Sequence, residues 1–395
     1  MRALLLLLVL TVGCVAGPEV GQVAPHGPTW LAGGTRAAED DASGGLEVVA
    51  QAEAPGGYAL RILGDRAYVA TFTTEEGISV FDIRDPLAPV HLGGIVGTLA
   101  RSVDVLDYGD RIAVALSTGT ELEVWDLTDP EEPARLASFP FGSHNVAVHP
   151  DAKIIYNARN VWDGVGGAME IVDASDPLDI RLDSVFTFPP LAADGTTVHD
   201  QGCHDFTVWP DEERAYCAAY EQTLVFDIAD PKRPVILTAI ENPLITSHHT
   251  AFPILDHTVL VIGDEWLDNF VWGCVGAGLP AGALWFYDLT VSPPAPLSYI
   301  QAPDTTLPAD PALLLPLQGA MCTSHNGMEL GAGTGRIAYG WFHAGVALID
   351  ASDPRAPQLL DLDDVGGAVG DARWHDGRVF AVDDAVGLTV LVPSP

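Results

Sequence analysis

Apolar positions in this chain come in short runs that alternate with polar ones or stay apolar throughout, and Gly, Pro and Asp break them up. No stretch repeats its apolar residues at helical spacing, so from Leu46 onward the pattern predicts strands joined by turns. One unit recurs within that region: an apolar strand, a carboxylate, a turn and a proline exit. It is clearest where Val346-Ala347-Leu348-Ile349 ends in Asp350 and runs on to Asp353-Pro354 and Pro357.

The same unit ends strands at Asp82, Asp126, Asp173 and Asp227, with Asp85-Pro86, Asp129-Pro130, Asp176-Pro177 and Asp230-Pro231 following. A diverged copy at Asp288 keeps the prolines but lacks the second Asp, and Gly387 to Leu391 is a truncated last copy. The seven copies are spaced by 44, 47, 54, 61, 62 and, to the matching Val392, 42 residues. A period of roughly 40–50 residues with several strands per unit predicts a β-propeller. The expected fold is all-β, with seven four-stranded blades. The strand-Asp-x-x-Asp-Pro unit resembles the LVIVD repeat of bacterial and archaeal surface proteins, from about Leu46 to the end. That resemblance implies an exported binding module; the repeat itself names no activity.

The first blade is drawn as Tyr58 to Leu63, Ala67 to Phe72, Ile78 to Ile83 and Val90 to Ile95. The last blade has Gly370 to Trp374, Val379 to Val382 and Leu388 to Val392, and then lacks an outer strand. Leu46 to Ala50 is expected to supply it and so remove an open sheet edge.

Ahead of the propeller, Met1-Arg2 and the apolar run Ala3 to Val12 read as a secretory signal too short to span a bilayer. Gly13-Cys14 suggests a lipoprotein cleavage site with Cys14 lipidated, although Thr11 stands where an aliphatic residue is preferred; plain cleavage near Ala16 is the alternative. Residues 15–45 are rich in Gly, Pro, Ala and acids and read as a disordered tether between membrane and propeller (46–395). The expected location is therefore outside the cytoplasm, on a membrane.

Charge narrows the partners. With 54 Asp and Glu against 18 Lys and Arg, the net charge of −36 disfavours nucleic acid and anionic lipid headgroups and permits cations. A protein, glycan or small molecule remains open as ligand. If Cys14 carries lipid, four cysteines remain in an oxidising compartment. Cys217 reads as a buried thiol and Cys274–Cys322 as the expected disulfide, with Cys203 pairing to either as the competitor.

The recurring Asp residues read as structural, because a residue repeated at one place in every blade serves the blade. A less regular set is more informative. Four inner strands open with Ser or Cys followed by His: Ser143-His144, Cys203-His204, Ser247-His248 and Ser324-His325. Inner strands line a propeller's channel, so their first residues gather at one mouth. A purely structural His should recur in most blades, as the Asp-Pro turn does, yet the first, second and seventh lack it. Gathered imidazoles suit a divalent transition metal such as Zn, Cu, Ni or Fe, or act as acid and base. Second strands run back to the same mouth, so Asp264 and Glu265 are candidate ligands, and Asp104 lies within the same reach. In the fifth blade His249 competes with His248. The leading reading is a binding module with a His-rich mouth; the alternative is a metal-dependent hydrolase or oxidoreductase.

Overall fold

A computed structural model of the chain describes residues 35–36, 45–159, 167–188, 202–265, 280, 282–301 and 323–393. The strands form seven sheets, each built on four antiparallel strands; they follow sequence order from the channel outward in every blade but the last, whose outer strand is the N-terminal one, and the sheet of blade 5 carries a short fifth strand. The inner strands of blades 1 to 7 are Gly57–Leu63, Ser102–Asp107, Asn145–His149, Asp205–Trp209, His248–Ile254, Gly327–Glu329 and Val369–His375. The one helical element among the described residues is a 3-10 turn at Pro210–Glu212. The chain is thus a seven-bladed β-propeller.

Closure is by the N-terminal strand. Leu46–Glu53 pairs antiparallel with Gly387–Pro393, from Leu46 opposite Pro393 to Glu53 opposite Gly387. The strand runs three residues beyond the expected Ala50. Within the segment expected as a tether, Thr35–Arg36 lies parallel to the outer strand of blade 5, Ala295–Gln301.

The repeated aspartates explain the repeated turns. Asp82, Asp126, Asp173, Asp227, Asp288 and Asp350 each accept the amide two residues on, at 2.8–3.0 Å. Asp85, Asp129, Asp176, Asp230 and Asp353 do the same at 2.9–3.1 Å. Two side-chain-closed turns in succession reverse the chain from third to outer strand, and the Pro fixes φ between them.

The core lies between blades. Tyr156 and Ile171 of blade 3 pack with Phe206 and Phe226 of blade 4, and Val261 and Phe286 of blade 5 with Tyr339 and Ile349 of blade 6. Second and third strands are covered on both sides, which is why they read as continuous apolar runs.

Inner strands are stitched to one another across the channel wall. Asp104 Oδ2 accepts Val148 N at 2.8 Å, Asn145 Oδ1 accepts Phe206 N at 3.1 Å, and Asp371 Oδ2 accepts Leu60 N at 3.1 Å. Thr207 Oγ1 donates to the Ala251 carbonyl at 2.6 Å. These bonds hold the strand openings at fixed spacing.

Candidate metal centre

The residue just ahead of each inner-strand ladder occupies an equivalent place. Arg101, His144, His204 and His325 each donate their amide to the last carbonyl of the second strand, at 2.7–2.9 Å. Tyr58, His249 and Gly370 reach the same place by another route. The register slips between Gly57 and Ala59, between His248 and Thr250, and between Val369 and Asp371, so the middle residue of each is bulged toward the axis. In blade order the mouth is therefore ringed by Tyr58, Arg101, His144, His204, His249, His325 and Gly370.

The histidines form an unbroken arc. Ring centroids are 4.1 Å apart for His144 and His204, 4.2 Å for His204 and His249, and 4.3 Å for His249 and His325. The arc bounds one end of a cavity of about 290 Å³ running down the channel.

His248 is not part of the arc. The bulge turns it away, and its Nδ1 lies 2.9 Å from Thr223 Oγ1 in the third strand of blade 4. His249 takes its place. A signal for this was present in the sequence: each arc histidine precedes a small polar residue, in His144-Asn145, His204-Asp205, His249-Thr250 and His325-Asn326. His248 precedes a histidine.

Asp264 is also corrected. Its Oδ1 accepts the amides of Thr246 and Ser247 and the Thr246 hydroxyl, and its Oδ2 accepts Gly282 N. Burial raises its pKa to about 6 against these bonds. It ties two loops to the strand end and is in neither group of clustered donor atoms. Asp104 faces the channel further down, where Arg61 bridges it to Asp371 and Arg373 pairs with Asp371.

Glu265 does belong. Its Oε2 lies 3.2 Å from His249 Nε2 and 3.8 Å from His204 Nε2. Burial, and then the nearby Asp205 and Asp264 charges, push its pKa up to about 8. Asp205 completes the group from the other side, with Oδ1 3.4 Å from His204 Nδ1. With its nitrogen turned inward, the Asn326 amide donates to Asp205 Oδ2 at 3.1 Å.

Backbone carbonyls orient two of the rings. His249 Nδ1 lies 3.0 Å from the His325 carbonyl oxygen, and His325 Nδ1 donates to the Gly370 carbonyl. A carbonyl only accepts, so both rings carry their proton on Nδ1 and offer Nε2 as a lone pair. The Tyr58 hydroxyl, 2.8 Å away, donates to Nε2 of His325. Nε2 of His249 and Nδ1 of His204 have only carboxyl oxygens beside them, Glu265 Oε2 at 3.2 Å and Asp205 Oδ1 at 3.4 Å. Gly370 is required here, since a Cβ would stand 2.2 Å from the Tyr58 carbonyl oxygen.

Burial depresses all four pKa values. That of His204 falls to about 3, and those of His144 and His249 lie well below the usual imidazole range; neighbouring imidazoles add to the effect. Neutral imidazole is the form that ligates metal.

Two sets bring one donor atom each to within 4.8 Å of one another: His204, His249 and Glu265, and His144, His204 and Asp205. Ligands about 2.0–2.1 Å from one ion stand at most about 4.2 Å apart, so side-chain shifts of under about 1 Å would close either set.

One disulfide departs from expectation. Cys203 and Cys217 are bridged, with Cα atoms 5.1 Å apart, so Cys217 is not a free thiol and Cys203 is not available to Cys274 or Cys322. The bridge pins the strand opening that carries His204 to the second strand of its own blade. Cys14, Cys274 and Cys322 lie outside the described residues. His149 is buried at the far end of its strand, where Nδ1 accepts Ala152 N at 3.3 Å.

No protein-family model and no curated protein matches this chain. Solved structures do. The WD40 repeats of RRP9 and the beta-propeller domain of Cps50 (Swd1) from Myceliophteria thermophila each align at a TM-score of 0.59 and 11% identity. Both alignments cover 89% of this chain, with 97% and 99% of the respective structures. At that identity the likeness is one of fold.

Proposed function

We propose that this propeller binds a divalent transition-metal ion at the His-lined mouth and presents it to a ligand in the channel. The observation that carries this is the buried cluster itself: His204, His249 and Glu265 bring one donor atom each to within 4.8 Å of one another among four neighbouring imidazoles. His204, His249 and Glu265 are the leading ligands, because all three are buried and His249 is oriented from behind by a carbonyl. His144 and Asp205 flank the open side. An N/O donor set of this kind suits Zn, Cu, Ni or Fe.

Metal analysis of untagged protein after reconstitution tests the reading. About one ion per chain is expected, lost in His204→Ala/His249→Ala protein that keeps its β-sheet circular dichroism. Equal metal content in the double variant and the parent would refute it.

A second reading, a metal-dependent hydrolase, is favoured by the two carboxylates on the same imidazoles. Asp205, not needed by the leading set, stands where a general base would take a proton from water. Zn(II)-dependent cleavage of nitrophenyl esters or phosphates, lost in Asp205→Asn with metal retained, would support it; no turnover in the loaded protein leaves the binding module.

Export and a lipid anchor complete the proposal. They are supported by the apolar run before Gly13-Cys14 and by a disulfide, which suits an oxidising compartment. Cys14→Ala is expected to move the protein from the membrane to the soluble fraction; unchanged partition would count against the anchor.

A further inference from the structure

The ring at the mouth has one member whose chemistry the metal reading leaves unused. Arg101 holds in blade 2 the place that His144 holds in blade 3, and its side chain lines the same cavity. The other two arginines of the channel are paired: Arg61 with Asp104 and Asp371, and Arg373 with Asp371. Arg101 has no carboxylate at ion-pair distance among the described residues, and its buried Nε lacks a hydrogen-bond partner. In a chain with three acids to every base, an unpaired guanidinium is not left over for want of carboxylates.

It is also held in place. The guanidinium carbon lies 5.8 Å from the centre of the Phe72 ring, a cation–π arrangement. Gly119, at φ +91°, leaves room for it, since a Cβ there would stand 3.1 Å from Nε. A fork so braced loses little freedom on pairing with an anion.

We infer that Arg101 is the anion-binding end of this mouth, and that the ligand is a small molecule bearing a carboxylate held there while its other end faces His204 and His249. The size is set by the cavity, about 290 Å³. The charge is set by the lining: Asp104, Asp205 and Asp371 share the cavity, and Arg101 is its one unpaired cation among the described residues. One cation among carboxylates fits a monoanion better than a phosphate dianion. The planar fork matches a carboxylate through two parallel hydrogen bonds. The orientation toward the histidines rests on the metal reading; the anion subsite does not.

Calorimetric titration of Co(II)-loaded protein with benzoate, propionate and inorganic phosphate tests this, in the parent, Arg101→Gln and Arg101→Lys. The carboxylates are expected to bind, Arg101→Gln to weaken them by roughly tenfold or more, and Arg101→Lys to fall between. Co(II) should bind all three, and no more weakly in Arg101→Gln, which removes a positive charge beside the imidazoles. Equal carboxylate binding by parent and Arg101→Gln, no binding by the parent, or tighter phosphate than carboxylate binding would overturn the inference. If Co(II) itself does not bind, the metal reading fails, and the same titrations of metal-free protein decide the role of Arg101: benzoate binding lost in Arg101→Gln keeps it, and no binding by the parent removes it.

Discussion

His249 of blade 5 and His325 of blade 6 are joined side chain to backbone, with His249 Nδ1 3.0 Å from the His325 carbonyl oxygen. The bond fixes the His249 tautomer and leaves Nε2 facing Glu265. It depends on the bulge that separates His249 from His248, so two adjacent residues of one type have opposite fates. His249→Ala is expected to cost metal affinity more than the roughly 10–100-fold typical of an outer-shell change. His248→Gln should change it less than about tenfold, because that ring bonds Thr223 instead. Competition titration with a chromogenic chelator measures both; a larger loss in His248→Gln would reverse the assignment.

The Cys203–Cys217 bridge closes a short loop, with a sequence separation of 14. Chain entropy for such a loop gives about 3 kcal/mol, so Cys217→Ser should lower stability by roughly that amount. Non-reducing peptide mapping should find this pair, and Cys274–Cys322 as the second bridge in protein whose Cys14 carries lipid. A Cys203–Cys322 peptide would contradict the structure.

Closure by Leu46–Glu53 pairs that strand along the whole of Gly387–Pro393. Deleting residues 46–53 strips the last blade of its outer strand and is expected to lower Tm by about 10 °C or more. Deleting residues 15–34 should leave Tm within about 2 °C. Thermal unfolding of the two truncations separates these outcomes.

Acid should weaken the fold partly through Asp173. Burial by itself would raise this carboxyl's pKa, but the Lys232 ammonium and the Ser175 hydroxyl and amide outweigh it and hold the group at about 2. The folded value lies below the unfolded 3.8, so the unfolded chain takes up the proton first as pH falls. The contribution is complete above the unfolded value and is lost as pH drops from there through about 2. Urea unfolding of parent and Asp173→Asn should differ most near neutral pH and converge toward pH 2. A difference that stays constant across this range would rule the ion pair out as the cause.

The blade repeat was legible in the sequence because everything that makes it is local. Asp at a strand end closes a turn with an amide two residues away, Pro fixes the next φ, and apolar runs mark strands covered on both faces. Repetition of that unit from Asp82 to Asp350, with Leu46 to Ala50 spare at one end and a blade one strand short at the other, fixes seven blades and their closure. Inner-strand position also brought His144, His204 and His325 to one mouth, and strand direction brought Glu265. What the sequence left open depends on pairing across strands and blades. Whether His248 or His249 faces the channel turns on one bulged residue, and a shift of one position in a strand exchanges its faces. Asp264 and Glu265 are neighbours in sequence, yet one is taken up by loop amides from Thr246, Ser247 and Gly282 while the other faces the histidines. Arg101 and Tyr58 stand level with the histidines only because blades 1 and 2 close the same ring. Those distinctions arise from contacts between residues tens to hundreds of positions apart, and the periodicity of a chain carries no record of them.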